Sequence, residues 1–333
     1  MKRRVLGRSG VTVSELCLGT LNFGWNVGME QAFEVLDTFR AAGGNFVQTS
    51  SVRFGDGAGL ASAHASEDYV GRWRRARGIA RPELFLATRV MFEGAPTLAG
   101  ATLEQTVRAA CEASLRRLQT DHLDLFLLEW GGANVAIDDL LVSLARLRRA
   151  GLIRYFGAGG LPAWRVMEAI HRAVQRDTDR FEVVQADFSL LAQERPERDL
   201  LDLCQAYRLG FLARSPLGGG LLAEVDRDEA FSGWRGRRAP LEDGATALTS
   251  VRAALAEVAA RHDVSLPRVA LAWVLAQRAV TAPVVGVASA PQLRELLAAT
   301  DFTLSTEDLD FLTRVAVRPA AARLPQPSTL VSL

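Results

Sequence analysis

The sequence predicts an α/β protein, a (β/α)8 TIM barrel with an N-terminal hairpin before it and an extra helix after it. Three observations carry this expectation. Eight short β-like runs alternate with longer helical patterns along the chain. Glycines at 151 and 210 stand where a helical pattern stops just before the next strand. The length, 333 residues, exceeds the roughly 250 typical of such a barrel. Its surplus falls in three places: an N-terminal segment turning at Gly10, an insertion around 223–246, and a tail after 305.

In order, the predicted strands are 15–20, 45–50, 84–90, 123–130, 154–159, 183–189, 211–216 and 283–287. The predicted helices are 30–42, 63–78, 102–118, 136–150, 162–176, 197–208, 247–277 and 290–299. Thr102-Leu-Glu-Gln-Thr and Asp138-Asp-Leu-Leu read as helix starts, because a small polar or acidic residue there satisfies the free N–H groups of the first turn. With no linker, repeat or low-complexity stretch, 1–318 reads as one barrel domain and 319–333 as a Pro/Ala/Ser-rich tail.

Composition excludes several function classes. Hydrophobic residues make up 49% and charged residues 23%, enough for a large core. No apolar run approaches the ~20 residues of a membrane helix, and the basic N-terminus lacks the apolar stretch of a signal peptide. A net charge of +1 gives no electrostatic case for nucleic acid. Cys17, Cys111 and Cys204 are widely spaced, which fits a reduced cytoplasm and neither a disulfide framework nor a zinc site. Of the 39 basic residues 38 are arginine, Lys2 being the one lysine. Chemistry that needs a buried lysine is therefore closed unless Lys2 reaches the site, since arginine stays charged.

In a barrel of this kind the site lies at the C-terminal ends of the strands. Those ends carry Thr20, Gln48 with Arg53 beyond it, Arg89, Glu129, Gly159-Gly160, Gln185, and Arg214-Ser215. No His/Asp/Glu cluster with ligand spacing stands there, so no metal is expected.

The same segments resemble the aldo-keto reductase superfamily over nearly the whole chain. Arg4-Val-Leu-Gly-Arg-Ser-Gly-Val-Thr-Val-Ser-Glu-Leu-Cys-Leu-Gly-Thr is similar to its opening hairpin and first strand. Gly43-Gly-Asn-Phe-Val-Gln-Thr-Ser resembles its second strand, and Ser66-Glu-Asp-Tyr-Val-Gly its second helix. Leu123-Asp-Leu-Phe-Leu-Leu-Glu-Trp resembles strand four, and Ile153-Arg-Tyr-Phe-Gly strand five. Ser215-Pro-Leu-Gly-Gly-Gly-Leu-Leu is similar to the pyrophosphate loop, and Val284-Val-Gly-Val-Ala-Ser-Ala-Pro-Gln-Leu to the adenosine-side segment. The resemblance implies a nicotinamide cofactor and an Asp–Tyr–Lys–His tetrad. All four tetrad positions differ here: Gln48, Arg53, Arg89 and Glu129 stand in them. Tyr69, Tyr155 and Tyr207 lie in helices or inside a strand, and His64 alone of the four histidines falls near a strand-end loop.

Of the cofactor contacts the resemblance implies, Gln185, Ser215, Leu217, Gly218, Gln292 and Glu295 remain. Gly159-Gly160 replaces the Ser-Asn pair that holds the nicotinamide carboxamide, and Arg214 the aromatic that stacks on its ring. Ala288 or Ser289 stands where a basic residue meets the 2′-phosphate, and losing such a charged partner costs about 1.5–3 kcal/mol. NADPH or NADH is thus an open but weakened cofactor expectation.

Arg53, Arg89, Arg214 and Glu129 together predict a cationic mouth suited to a small anionic substrate, with Trp25 and Trp130 as walls. Glu129, with Arg89, Arg53 and Gln48, is the candidate catalytic group, an acid or base for non-redox chemistry such as a cyclase, dehydratase, isomerase or lyase. The alternatives are an unusual NAD(P)H-dependent oxidoreductase reducing C=O or C=C, and a ligand-binding pseudoenzyme. Arg89 and Glu129 can equally form a structural ion pair in place of the Lys–Asp pair. The insertion with Trp234, Arg235, Arg237 and Arg238 reads as a solvated loop or a lid. Oligomeric state, substrate and pathway are open at this point.

Overall fold

The computed structural model describes residues 1–51, 64–93, 101–131, 135–192, 195–223 and 242–316. Eight parallel strands close into a barrel: β3 (Cys17–Gly19), β4 (Phe46–Ser51), β5 (Phe85–Glu93), β6 (Leu123–Gly131), β7 (Ile153–Gly159), β8 (Val183–Asp187), β9 (Gly210–Arg214) and β10 (Val280–Val285). A two-stranded antiparallel hairpin, β1 (Arg3–Val5) and β2 (Thr12–Ser14), precedes it. Arg4 ties this hairpin to the barrel by donating to the carbonyls of Val280 and Leu275, each at 2.7 Å.

Helices follow the strands as expected: α1 (Met29–Ala41), α2 (Ala65–Ala76), α3 (Leu103–Leu118), α4 (Ile137–Arg149), α5 (Ala163–Gln175) and α6 (Arg195–Tyr207). Thr102 caps α3 by accepting from the Gln105 backbone N–H, and the Gln105 side chain closes the reciprocal bond to the Thr102 N–H. The expected helix at 247–277 is instead two, α7 (Glu242–His262) and α8 (Leu266–Ala276). The break has a local cause. Asp263 is left-handed at φ 52°, Ser265 is extended, and Pro267 lies in the first turn of α8, where its missing N–H costs nothing. α9 (Ala290–Leu297) and an extra helix α10 (Thr306–Ala316) complete the described chain. Arg53, most of the insertion with its Trp234–Arg238 cluster, and the tail after 318 lie outside the described residues.

The core divides by strand parity. Outward residues such as Phe126 and Leu128 pack beneath the helices. Inward residues Phe46, Phe85, Ala87, Leu125, Leu127, Val183, Leu212 and Ala282 fill the barrel, with Leu6 and Val13 of the hairpin segment closing its lower end. Side chains alternate faces along a strand, so the next inward position up each strand shares that interior. Those positions are Gln48, Arg89, Glu129, Gln185 and Arg214. An apolar floor thus carries a polar top layer.

Candidate functional site

A cavity of about 560 Å³ opens at the C-terminal ends of the strands. Gln48, Arg89, Gln185 and Arg214 form one end of its wall. Ser215, Leu217, Gly219 and Gly220 line its side, and Gln292 and Glu295 of α9 its other end. Trp25, from the loop after β3, lines it as expected. Gly218 does not reach the wall; its Cβ position is closed by Leu191. The side chain of Trp130 is outside those described, and Arg53 lies outside altogether.

The Ser215–Gly220 loop holds an unusual backbone. Ser215 (φ 50°), Gly218 (φ 61°), Gly219 (φ 71°) and Gly220 (φ 101°) are all left-handed. A non-glycine residue in that region costs free energy, which a surrounding structure must offset, and such residues concentrate at ligand sites.

The ionic groups form one chain. Arg89 Nη1 donates to Glu129 Oε2 at 2.6 Å, and Arg214 Nη1 to Glu129 Oε1 at 2.6 Å. Arg214 Nε and Nη2 donate to the two oxygens of Asp187 at 2.7 and 3.2 Å. Asp187 was not among the candidates. Its signal was the strand parity: it lies two residues past Gln185 on β8, on the same face. With Asp187 included, the two arginines and two carboxylates balance. The cationic mouth expected from Arg53, Arg89, Arg214 and Glu129 is therefore neutral across its described members.

Protonation follows from this chain. Burial is the largest single influence on Glu129 and opposes its charge, but Arg89, Arg214 and the Arg214 hydrogen bond together outweigh it and hold the carboxyl below its usual range. Arg89 is 6% exposed, and its burial lowers its pKa against the pull of Glu129. Arg214 moves upward: burial opposes its charge, and the bonds to Asp187 and Glu129 overcome that. A carboxylate gripped at both oxygens is ionised at neutral pH, which removes it as a general acid in this resting state.

Gly159 and Gly160 have a definite role in this arrangement. A Cβ at Gly159 would lie 3.2 Å from Glu129 Cβ, and one at Gly160 (φ 69°) would lie 3.3 Å from Glu129 Oε1. The glycine pair makes the space that the Glu129 carboxylate occupies.

Gln185 Nε2 donates to Gln48 Oε1 at 2.8 Å across the barrel. Gln48 Nε2 and Gln185 Oε1 are buried with no partner among the described residues. Turning both amides over exchanges the residues and still leaves one free donor and one free acceptor. Buried orphans of this kind cost about 1–3 kcal/mol each and point to a ligand group or water that completes them.

Other candidates are committed elsewhere. Glu295 accepts from Ser265 Oγ and pairs with Arg268 at 3.5 Å, while the Gln292 side chain accepts from the Ala288 N–H at 2.8 Å. Tyr155 reaches the Ser9 carbonyl at 3.3 Å below the barrel. No tyrosine, histidine or cysteine is among the described residues of the cavity wall. The described residues contain no group of three His, Cys, Asp or Glu that could hold a metal ion. No described helix is long and apolar enough to cross a membrane. The three cysteines are buried and unpaired.

Known proteins place this architecture. The uncharacterized oxidoreductase YrpG of Bacillus subtilis is 31% identical, with 96% of this chain and 97% of that protein covered. The aryl-alcohol dehydrogenase GME11368 of Pestalotiopsis microspora is 32% identical over 92% of this chain and 80% of its own. The norsolorinic acid reductase stcV of Emericella nidulans is 30% identical over 90% and 78%. A crystal structure of the thermostable aldo-keto reductase Tm1743 with the inhibitor epalrestat superposes with a TM-score of 0.73 at 25% identity, covering 95% of this chain and all of that one. Residues 15–316 match the aldo/keto reductase family, and the chain belongs to that family.

Proposed function

We propose that this protein is a nicotinamide-dependent oxidoreductase in which guanidinium groups take over the charge-stabilising work of the missing tyrosine and lysine. The observation that carries this is the orphaned amide pair. Gln48 and Gln185 offer one donor and one acceptor at one end of the cavity, which is what a carboxamide completes with its own C=O and NH2. The same cavity is also lined by Ser215, Leu217, Gly219 and Gly220 and by Gln292 and Glu295, the positions that the family resemblance assigns to the rest of the dinucleotide. The relatives' names, an oxidoreductase, a dehydrogenase and a reductase, support the same reading.

When bound, the nicotinamide supplies or accepts the hydride. Everything else falls to the chain. Arg89 and Arg214 border the cavity and stabilise negative charge developing on a substrate oxygen, in a buried setting where such help is worth most. Neither can give up a proton, and Glu129 has none to give. The proton that accompanies the hydride therefore comes from water, and the rate is flat between about pH 6 and 9.

The test is a titration with NADH and NADPH, followed by tryptophan quenching and calorimetry, then transfer of deuterium from labelled nicotinamide to product. Micromolar binding with label transfer is the expected result. Absence of binding at millimolar cofactor overturns the reading.

A second reading is favoured by one observation, the replacement of Gln48, Arg89 and Glu129 together in the inward layer. There the protein is a non-redox cyclase, dehydratase, isomerase or lyase. Glu129 stands behind Arg89 and Arg214 and becomes a base where the substrate displaces one of them and opens the carboxylate to the cavity. Turnover without nicotinamide, lost in Glu129→Gln, distinguishes it.

A further inference from the structure

We infer that the substrate carries a carboxylate, received by the cavity-facing sides of Arg89 and Arg214. This rests on the proposed function for the site's use, and on its own geometry for the ligand's class. Both arginines line the cavity; their partners Glu129 and Asp187 do not. The carboxylates grip the guanidinium groups from beyond the wall, so the face toward the cavity is positive although the cluster is neutral as a whole.

Arg214 is held by three N–H···O contacts from two strands, β6 and β8. A guanidinium fixed in this way loses little freedom on meeting a ligand, and its planar fork matches a carboxylate. Among the described residues the one other charged residue on the wall is Glu295, tied to Ser265 and Arg268, so an anion is steered to the arginines.

Charge selects among anions. An anion that meets Arg89 and Arg214 is also repelled by Glu129 and Asp187 behind them, and that repulsion grows with the ligand's charge. A phosphate dianion would bring a second charge toward Glu129 and Asp187, which makes a monoanionic carboxylate the better fit.

The test uses acetate and benzoate against acetamide and benzamide, and inorganic phosphate, by calorimetry on the full chain. Benzoate is expected to bind at least tenfold more tightly than benzamide and than phosphate at pH 7.5, and to weaken as salt rises. Arg214→Gln is expected to remove that preference at least tenfold while the melting transition stays cooperative. Equal binding of acid and amide, or preference for phosphate, overturns the inference, and that comparison needs no variant. NADH is titrated in the same series. Carboxylate preference without NADH binding sinks only the redox reading; NADH binding without carboxylate preference sinks only this inference.

Discussion

Strand β6 carries two carboxylates five residues apart, Asp124 buried and Glu129 half-buried, and each is held by two arginines. Asp124 takes Arg81 at 2.6 Å and Arg154 at 3.0 Å, and also accepts the Leu86 N–H at 2.8 Å. Glu129 takes Arg89 and Arg214, both at 2.6 Å. An odd spacing puts them on opposite faces of the strand. Asp124 shares the helix-facing side with Phe126 and Leu128; Glu129 shares the interior with Leu125 and Leu127. Similar chemistry therefore does two jobs. Around Asp124 no partner borders the cavity, so the network joins β5, β6 and β7 and ends there. Around Glu129 both arginines border the cavity, and the network is the candidate site. What separates the two networks is the side of the barrel wall they occupy.

The largest way to sharpen this contrast is Asp124→Ala. It strands Arg81 and the Leu86 N–H, and breaking a buried pair costs about 3–5 kcal/mol. Chemical denaturation should show that loss, while benzoate and NADH affinities per folded molecule stay unchanged. A fall in either affinity would mean the two networks communicate.

The paired replacement Arg89→Met with Glu129→Leu comes next. It removes one cation and one anion together and leaves Arg214 with Asp187, so the charge stays balanced. Replacing a buried pair by apolar residues of similar size is neutral to stabilising by about 1–4 kcal/mol. The variant should fold with near-normal stability and keep only a reduced carboxylate preference, through Arg214. An undiminished preference would mean that Arg89 takes no part in binding the carboxylate.

Much of this was legible in the sequence, and the limits are physical. Gln48, Arg89, Glu129, Gln185 and Arg214 could be named because strand ends and strand parity are local properties. Asp187 is equally accessible by parity, two residues past Gln185 on β8. The Gln185–Gln48 bond joins residues 137 apart, and only closure of the barrel brings them together. Nor does sequence spacing reveal that Gly159 and Gly160 make room for Glu129, since that is a fact about volume between strands β6 and β7. The split of 247–277 turned on one left-handed backbone at Asp263, which a helical pattern does not display.

Gly159→Ala probes that volume. Its Cβ would lie 3.2–3.3 Å from Glu129 Cβ and Oε2, close enough that the carboxylate must shift by tenths of an ångström. Overpacking of this kind costs about 1–3 kcal/mol. The same change at Gly28 (φ −68°), where a Cβ meets nothing within 4 Å, adds the methyl without the contact. A shift in carboxylate affinity for Gly159→Ala and none for Gly28→Ala would tie the glycine to the site.

The smallest effect is in acid. Glu129 has a folded-state pKa below its usual value, because its two arginines outweigh burial. A depressed carboxyl contributes stability that is fully present above the unfolded value of about 4.3 and is lost as pH falls through the lower folded one. The melting temperature of Glu129→Gln should therefore lie furthest below that of the unsubstituted protein at pH 6–7. The gap should narrow as the pH drops below about 4, where the native glutamate takes up its proton. A gap that widens in acid would mean that burial, not the arginines, sets the charge of Glu129. In that case the Glu129 carboxyl would titrate above its usual range, and the non-redox reading, with this residue as general acid, would regain the ground that the double clamp takes from it.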